Sequence, residues 1–236
     1  MKHFLRPIYT SVIIVAILIS ATAVKSSATS SETLTKLTSA PVQLAFPEKT
    51  GTWPNQAAPA TIYTWDNIKA RVVDGVKIVY YKTATWGTVE ADFDDFRTKI
   101  AATLNDDRGW KNANLRFVEV NSGYDLTVVL SDAAHLDFPG CSPTLSCTDS
   151  NRNYVIINDL RWRTGTDASK AHHMSQRDYQ HMVINHEMGH WLGHHAHATG
   201  CTNGGPAPIM LQQSTGLRGC DSMNSWPLKE ELWVSV

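Results

Sequence analysis

The feature that most constrains this chain is an eight-residue stretch from His186 to Gly193, His-Glu-Met-Gly-His-Trp-Leu-Gly. In an α-helix, residues four apart are separated by about 40° around the axis and about 6 Å along it. His186 and His190 therefore point from one helix face toward a common point, where two imidazoles can bind one ion. We predict that this helix begins near Ser175, which lies three residues before Asp178 in an arrangement similar to a capping box.

Glu187 lies one residue after the first histidine, about 100° further around the helix. From there its carboxylate can reach a metal-bound water, so we predict that Glu187 is a general base. The alternative is an ordinary polar helix face with two unrelated histidines. The following residues favour the metal site, because Gly193 can end the helix in a left-handed turn and His194, His195 and His197 come directly after it. A third imidazole would complete the three-ligand shell of catalytic zinc.

Upstream of this helix, the apolar residues follow two patterns, one typical of strands and one typical of a helix. Runs of β-branched and aromatic residues predict strands over 76–83, 115–120, 126–130 and 154–157. Helical spacing of apolar residues predicts a further helix over 91–105. Beyond Gly193, Gly and Pro are frequent and periodicity is poor. We therefore predict an α/β (α+β) fold, with a twisted mixed sheet, two main helices and a loop-rich C-terminal subdomain.

The first quarter of the chain has a different composition. Residues 1–24 combine a basic start with an apolar run and small residues, which predicts an export signal peptide or, if uncleaved, an N-terminal membrane anchor. Residues 25–60 are dominated by Ser, Thr, Ala and Pro, which predicts a disordered tether. One domain over 61–236 remains. Both interpretations place it outside the cytoplasm, either secreted or anchored at the outer face of the cell membrane.

Charge and cysteine content narrow the class of protein further. The formal net charge is −1, which gives no electrostatic basis for nucleic-acid binding. Four cysteines form an even set in a chain that we expect to be exported, so disulfides are the favoured use. The spacing predicts two local pairs, Cys141 with Cys147 and Cys201 with Cys220. Four free buried thiols are the alternative.

A second motif follows the histidines: Pro206 to Met210 is a Pro-Ala-Pro-Ile-Met segment that delivers a methionine shortly after them. Together, H-E-x-x-H-x-x-G, a following histidine and this methionine turn resemble the metzincin zinc peptidases. A longer pattern over roughly residues 72–227 is similar to a little-characterised family of exported bacterial metzincin-like proteins. The resemblance implies a metzincin-like catalytic domain, Zn²⁺ as cofactor, and a peptide or protein as substrate. We expect a monomer.

The chain departs from the metzincin pattern at one position. That pattern places its third ligand three residues after the glycine, where this chain has Ala196. An extra residue can be absorbed in the irregular segment that follows Gly193. We therefore predict His197 as the third metal ligand, with His195 and then His194 as the alternatives.

The resemblance also implies a mechanism. His186, His190 and His197 would hold zinc, which lowers the pKa of its water and polarises the scissile carbonyl, while Glu187 moves the proton from water to the leaving amine. The competing hypothesis is an envelope-tethered module that binds zinc and cleaves nothing, favoured by eight histidines between positions 172 and 197. Glu187 discriminates, because a purely structural site closes its shell with four protein ligands. We expect three of the eight to be solvated polar residues, namely His172, His173 and His181.

Overall fold

An eleven-residue strand, β2 (Val76–Trp86), organises the sheet, because other strands pair with it along its whole length. The computed structural model describes residues 71–235. The predicted export segment (1–24), the predicted tether (25–60) and the predicted start of the domain at residue 61 therefore lie outside the described residues. Within the described part of the chain, no helix is long and apolar enough to cross a membrane.

The sheet is mixed. β1 (Val72–Val73) pairs antiparallel with the start of β2, and β3 (Leu115–Glu119) runs parallel to the first half of β2. β4 (Leu126–Ser131) runs parallel to the second half of β2, and β6 (Tyr154–Asn158) runs parallel to β4. β5 (Cys147–Asp149) is antiparallel to β6 and forms an edge of the sheet. The predicted α/β class with a mixed sheet is confirmed.

Alternation along the central strands separates two hydrophobic clusters, because successive side chains of a strand point to opposite faces. Val128 and Leu130 of β4 belong to the larger cluster. Val129, which lies between them, belongs to a smaller cluster with Trp86 and Leu136. The two main helices, α1 (Phe93–Leu104) and α4 (Gln176–Trp191), contribute their apolar residues to the larger cluster. Helix α4 is thereby fixed against the sheet.

Both main helices lie where the periodicity predicts them. The side chain of Ser175 caps α4 by accepting a hydrogen bond from the backbone N–H of Asp178 at 3.1 Å. The last helical residue is Trp191, and Gly193 adopts φ +109°, a conformation that favours glycine. The chain therefore leaves the helix by the left-handed turn expected at this glycine.

Several short elements carry no clear signal in the sequence. They are β1, β5 and two one- to two-turn helices, α2 (Asp159–Thr164) and α3 (Asp167–Ala171), which are too short to display a period. The chain from Leu192 to Ser235 is largely irregular, with 3₁₀ turns at Gln213–Thr215 and Lys229–Glu231. This agrees with the predicted loop-rich C-terminal part.

Both predicted disulfides are present. Cys141 is bonded to Cys147 and Cys201 to Cys220, so the described residues contain no free cysteine and the free-thiol alternative is wrong. The second bridge joins a small apolar cluster of the C-terminal part, which includes Ala207, Leu211 and Leu217. The bridge and this cluster together stabilise a region that has little regular secondary structure.

The prediction of a solvated His181 is wrong, whereas His172 and His173 are exposed as expected. His181 is only 8% exposed, with Nδ1 2.8 Å from Thr103 Oγ1 and its ring against Trp226. The cause is the burial of α4 on all its faces, since every residue from Tyr179 to Gly189 is buried. The C-terminal part covers the helix face that periodicity alone would leave in water.

Candidate metal centre

Helix α4 brings His186 and His190 together as their spacing predicts. Their ring centroids are 4.8 Å apart and their ring planes are nearly perpendicular. His186 is buried at 7% exposure, and His190 is partly exposed. The two rings therefore present nitrogens to one region at the helix surface.

His197 joins this pair from the irregular segment after the helix. Its ring lies 5.2 Å from that of His186 and 4.8 Å from that of His190. The segment is held nearby because the backbone N–H of Ala198 donates to the carbonyl of Met210 at 2.9 Å. One nitrogen from each of the three histidines lies within 4.8 Å of the other two. The structure thus brings together the three residues predicted as ligands.

The two alternative third ligands lie elsewhere. His194 is buried, with Nε2 2.9 Å from the carbonyl oxygen of Trp233 and its ring packed between Trp110 and Trp233. His195 lines the same cleft as the three converging histidines but is not part of their cluster. Of the three histidines after Gly193, His197 is therefore the one that joins the helix pair.

Hydrogen bonds assign the tautomers of the two helix histidines. His186 Nδ1 is 2.7 Å from the carbonyl oxygen of Ile209, and His190 Nδ1 is 2.7 Å from the carbonyl oxygen of His194. A carbonyl only accepts, so both protons reside on Nδ1 and each Nε2 carries a lone pair, which His190 Nε2 can use to accept from His197 Nε2. Burial lowers the pKa of His186 to about 3 and that of His190 to about 4, which keeps both rings neutral.

This donor set fits a transition metal such as zinc. Neutral imidazole is a preferred zinc ligand, and two ligands of a tetrahedral ion at ~2.0 Å are about 3.3 Å apart. His190 Nε2 is 3.1 Å from His197 Nε2. The carbonyl bonds to Nδ1 are also the outer-shell contacts that orient metal-binding histidines. The nitrogens of His190 and His197 are therefore already at the spacing of two zinc ligands, and the nitrogen of His186 lies within 4.8 Å of both.

Glu187 follows His186 on the same helix and is buried, with 4% of its surface exposed. Thr148 Oγ1, on the edge strand β5, lies 2.8 Å from the backbone oxygen of Glu187 and 3.0 Å from its Oε2. Burial raises the pKa of Glu187 to about 8, and the hydrogen bond from Thr148 opposes this rise. The carboxyl group can therefore hold or release a proton near neutral pH.

The methionine turn lies against the helix that carries the motif. The methionine, Met210, is buried, and its Sδ packs so closely on Gly189 that a Cβ at this position would clash with it. Gly189, between the two helix histidines, thus leaves room for the methionine. The turn is anchored by Glu231, whose carboxylate accepts from the backbone N–H groups of Ile209 at 2.8 Å and Met210 at 2.9 Å.

A cleft of about 380 Å³ gives access to the site. His186, Glu187, His190 and His197 line it together with the loop closed by the Cys141–Cys147 disulfide. Asn158 at the start of α2 supports this loop, because its side-chain amide donates to the carbonyl of Pro143 and its backbone N–H donates to Ser146 Oγ. The imidazoles and the carboxyl group of Glu187 are therefore accessible from this cleft.

Sequence reasoning missed two residues that contact the machinery, Thr148 and Glu231. Thr148 follows a cysteine in a three-residue strand, and Glu231 lies in a 3₁₀ turn near the C terminus. Each meets its partner across a long stretch of chain, 39 residues for Thr148 to Glu187 and 22 for Glu231 to Ile209. The Ser-Cys-Thr and Lys-Glu-Glu surroundings contain no motif that would have identified them.

The fold and the site define a mixed α/β protein with a candidate three-histidine metal centre. A family model described as "Protein of unknown function (DUF3152)" matches residues 50–228. The chain therefore belongs to this family. No curated protein and no solved structure matches it significantly.

Proposed function

We propose that this protein is a zinc-dependent endopeptidase of the metzincin type, which acts on peptide or protein substrates outside the cytoplasm. One observation carries the proposal: the imidazoles of His186, His190 and His197 meet beside the buried carboxyl group of Glu187 at the wall of an open cleft. Three nitrogen ligands, an adjacent proton carrier and access for substrate are what hydrolysis by a metal-activated water requires.

Further features support a metzincin-like arrangement. The helix with the two histidines follows the last strand of a mixed sheet, the chain turns back at Gly193 to deliver a third histidine, and a buried methionine packs on the helix beneath them. The two disulfides support an oxidising location, where such bonds persist. An N-terminal membrane tether is the alternative to full secretion.

Each residue of the site then has a distinct task. Bound zinc would act as a Lewis acid and lower the pKa of a water toward neutrality. The carboxylate of Glu187 accepts a proton on the cleft side and delivers it to the leaving nitrogen. Thr148 restricts the carboxyl group to one orientation through Oε2. Ile209 and His194 direct the ring nitrogens of His186 and His190 through their carbonyl oxygens.

The competing function is a module that binds zinc without catalysis. The exposure of His197 and the open cleft favour the peptidase over this module, since a structural zinc site surrounds its ion with four protein ligands. A buried carboxyl group beside the imidazoles also has no task in storage.

The test is metal analysis combined with cleavage of a broad peptide library. We expect one zinc per chain, and we expect Glu187→Gln to keep that zinc while the rate of peptide hydrolysis falls by about 10³-fold. Hydrolysis at the wild-type rate in Glu187→Gln would refute the assigned mechanism. A wild-type protein that binds zinc and cleaves no peptide would instead support the binding module.

The ligand set is tested by a matched pair of variants in the same segment. His197→Ala should weaken zinc binding by more than about 100-fold, because loss of a ligand exceeds the effect of losing an outer-shell partner. His195→Ala, which removes a cleft histidine outside the cluster, should retain wild-type affinity. The reverse result would transfer the third ligand to His195, and stoichiometric zinc in a His186→Ala/His190→Ala double variant would refute the site altogether.

A further inference from the structure

The C-terminal segment from Leu228 to Ser235, here called the strap, contacts the two groups that bond to the Nδ1 atoms of the helix histidines. These groups are the methionine turn, which bonds to His186, and His194, which bonds to His190. The strap holds the methionine turn through Glu231 and His194 through the carbonyl oxygen of Trp233. It is tied to the end of α4 because the backbone N–H of Ser235 donates to the carbonyl of Leu192. The family match ends at residue 228, so Glu231 and Trp233 lie beyond it.

One peptide group lies between Glu231 and His186. The N–H of Met210 donates to Glu231 Oε1 at 2.9 Å, and the carbonyl of the preceding residue, Ile209, accepts from His186 Nδ1 at 2.7 Å. These N–H and C=O groups belong to the same planar trans peptide and point in opposite directions. A carboxylate on one side and an imidazole on the other thus share a single peptide dipole.

Such a chain of hydrogen bonds is cooperative. A charged acceptor on the N–H of a peptide increases the negative partial charge on its carbonyl oxygen, and hydrogen bonds in series strengthen one another where water is excluded. Glu231 is 7% exposed, and Ile209 and Met210 are buried. The same carboxylate also accepts from the backbone N–H groups of Ile209 and Leu228, which fixes its position.

We infer that Glu231 is a positioning residue of the metal centre, which sets the ring orientation and the Nδ1–H tautomer of His186 through the Ile209–Met210 peptide. This arrangement, here called the relay, resembles the direct carboxylate–histidine pair of many zinc sites with one peptide group inserted. It leaves the lone pair of His186 on Nε2, where it is available to a metal ion in the cluster with His190 and His197. The effect on zinc rests on the proposed function, whereas the effect on the imidazole proton does not.

The strap serves the second helix histidine by a different route. His194 Nε2 is 2.9 Å from the carbonyl oxygen of Trp233, and the two rings are in contact with centroids 3.9 Å apart. This holds His194 in place, so that its backbone carbonyl accepts from His190 Nδ1. Glu231 reaches this second route only through its backbone, which bonds to His194, and through its charge. A change confined to the Glu231 side chain should therefore affect His190 less than His186.

The experiment compares Glu231→Gln with Glu230→Gln, a matched change at the exposed neighbouring residue. The glutamine at 231 keeps the shape but removes the charge and turns one acceptor into a donor that opposes N–H groups. In the metal-free protein, we expect the Nδ1 proton signal of His186 in nitrogen-edited NMR spectra to move more than that of His190. In zinc competition with a chelator, Glu231→Gln should bind about 10- to 100-fold more weakly than wild type. Glu230→Gln should match wild type in both measurements.

An unchanged His186 signal in folded Glu231→Gln overturns the relay, whether or not the wild type binds zinc. A wild-type protein that binds no zinc, with the His186 signal still displaced in the variant, refutes the proposed function and leaves the relay standing. Equal displacement of the His186 and His190 signals also overturns the relay, because it indicates general loosening. If Glu231→Gln does not fold, Glu231→Asp keeps the charge and shortens the reach, and an unchanged His186 signal there overturns the relay equally.

Discussion

At the scale of single residues, the hydroxyl of Thr148 has one proton and two acceptor atoms of Glu187 within reach. When it donates to the backbone carbonyl of Glu187, its own lone pair faces Oε2 and can accept a proton held there. When it donates to Oε2, it supports the charged carboxylate. The hydroxyl therefore accommodates both protonation states between which a general base must alternate.

Replacing this hydroxyl gives a prediction about catalysis without loss of metal. Thr148→Val retains the shape and the β-branched character of the residue, so we expect zinc content to be unchanged and kcat to fall about 10-fold, as a poorly oriented general base transfers protons less well. Thr148→Ser restores the hydroxyl and should recover most of the rate. Metal analysis and steady-state kinetics on the three proteins check this, and a wild-type kcat in Thr148→Val would show that the contact does not orient Glu187.

At the scale of elements, both disulfide-closed loops line the cleft, the loop from Cys141 to Cys147 along its length and the loop from Cys201 to Cys220 through residues 212–214. Only the loop from Cys201 to Cys220 also contains the methionine turn. Neither loop has extended regular structure to maintain its shape. Loss of the Cys201–Cys220 bridge should therefore affect both the support of the helix histidines and the cleft, whereas loss of the Cys141–Cys147 bridge should affect the cleft alone.

Removing each bridge separately should distinguish these roles. In the chain-entropy model, loss of the Cys201–Cys220 bridge costs about 3 kcal/mol and loss of the shorter Cys141–Cys147 bridge about 2 kcal/mol. We expect Cys201→Ser/Cys220→Ser to lower both the free energy of unfolding and the zinc affinity. Cys141→Ser/Cys147→Ser should lower stability less and change KM at constant zinc content. Denaturant unfolding and chelator competition measure these effects, and equal zinc loss in both variants would contradict the division of roles.

At the scale of the whole molecule, the site makes the stability of the metal-free protein depend on pH in two opposite directions. Folding lowers the pKa of His186 and His190 from 6.5 to about 3 and about 4, so the folded state binds fewer protons than the unfolded state in this range. Their contribution is complete above pH 6.5 and is lost as the pH falls through about 4 for His190 and about 3 for His186. Folding raises the pKa of Glu187 from 4.5 to about 8, so its contribution is complete below pH 4.5 and is lost as the pH rises toward 8.

The corresponding prediction concerns the melting temperature in the presence of a chelator. Acidification below about pH 6 should lower the Tm of the wild type, and His186→Ala/His190→Ala should flatten this decrease. Glu187→Gln should flatten the decrease on the alkaline side, and it should steepen the decrease between pH 6.5 and 4.5, where the Glu187 contribution opposes that of the histidines. Differential scanning calorimetry across the pH range measures both limbs, and parallel curves for all three proteins would exclude these groups as the source.

The parts of this molecule that could be predicted from the sequence are those with a local cause. The spacing of His186 and His190, the cap at Ser175 and the left-handed turn at Gly193 each depend on residues within one or two helical turns. The convergence of His197 followed from the path of the chain after that turn. The burial of His181, the contact of Thr148 and the anchoring by Glu231 depend on segments far apart in sequence, whose docking no short pattern encodes.

The burial of α4 on every side also has a consequence for how the chain is made. Some residues that bond to α4, such as Trp110 and Thr148, come before the helix in the chain. Others come after it: Asn185 donates to the carbonyl of Ser225, and His186 Nδ1 donates to the carbonyl of Ile209. A nascent chain that lacks residue 231 carries the entire histidine motif but lacks the carboxylate that accepts from the backbone N–H groups of the methionine turn. Assembly of the metal centre therefore cannot be completed until residue 231 has been made and has folded back onto this turn.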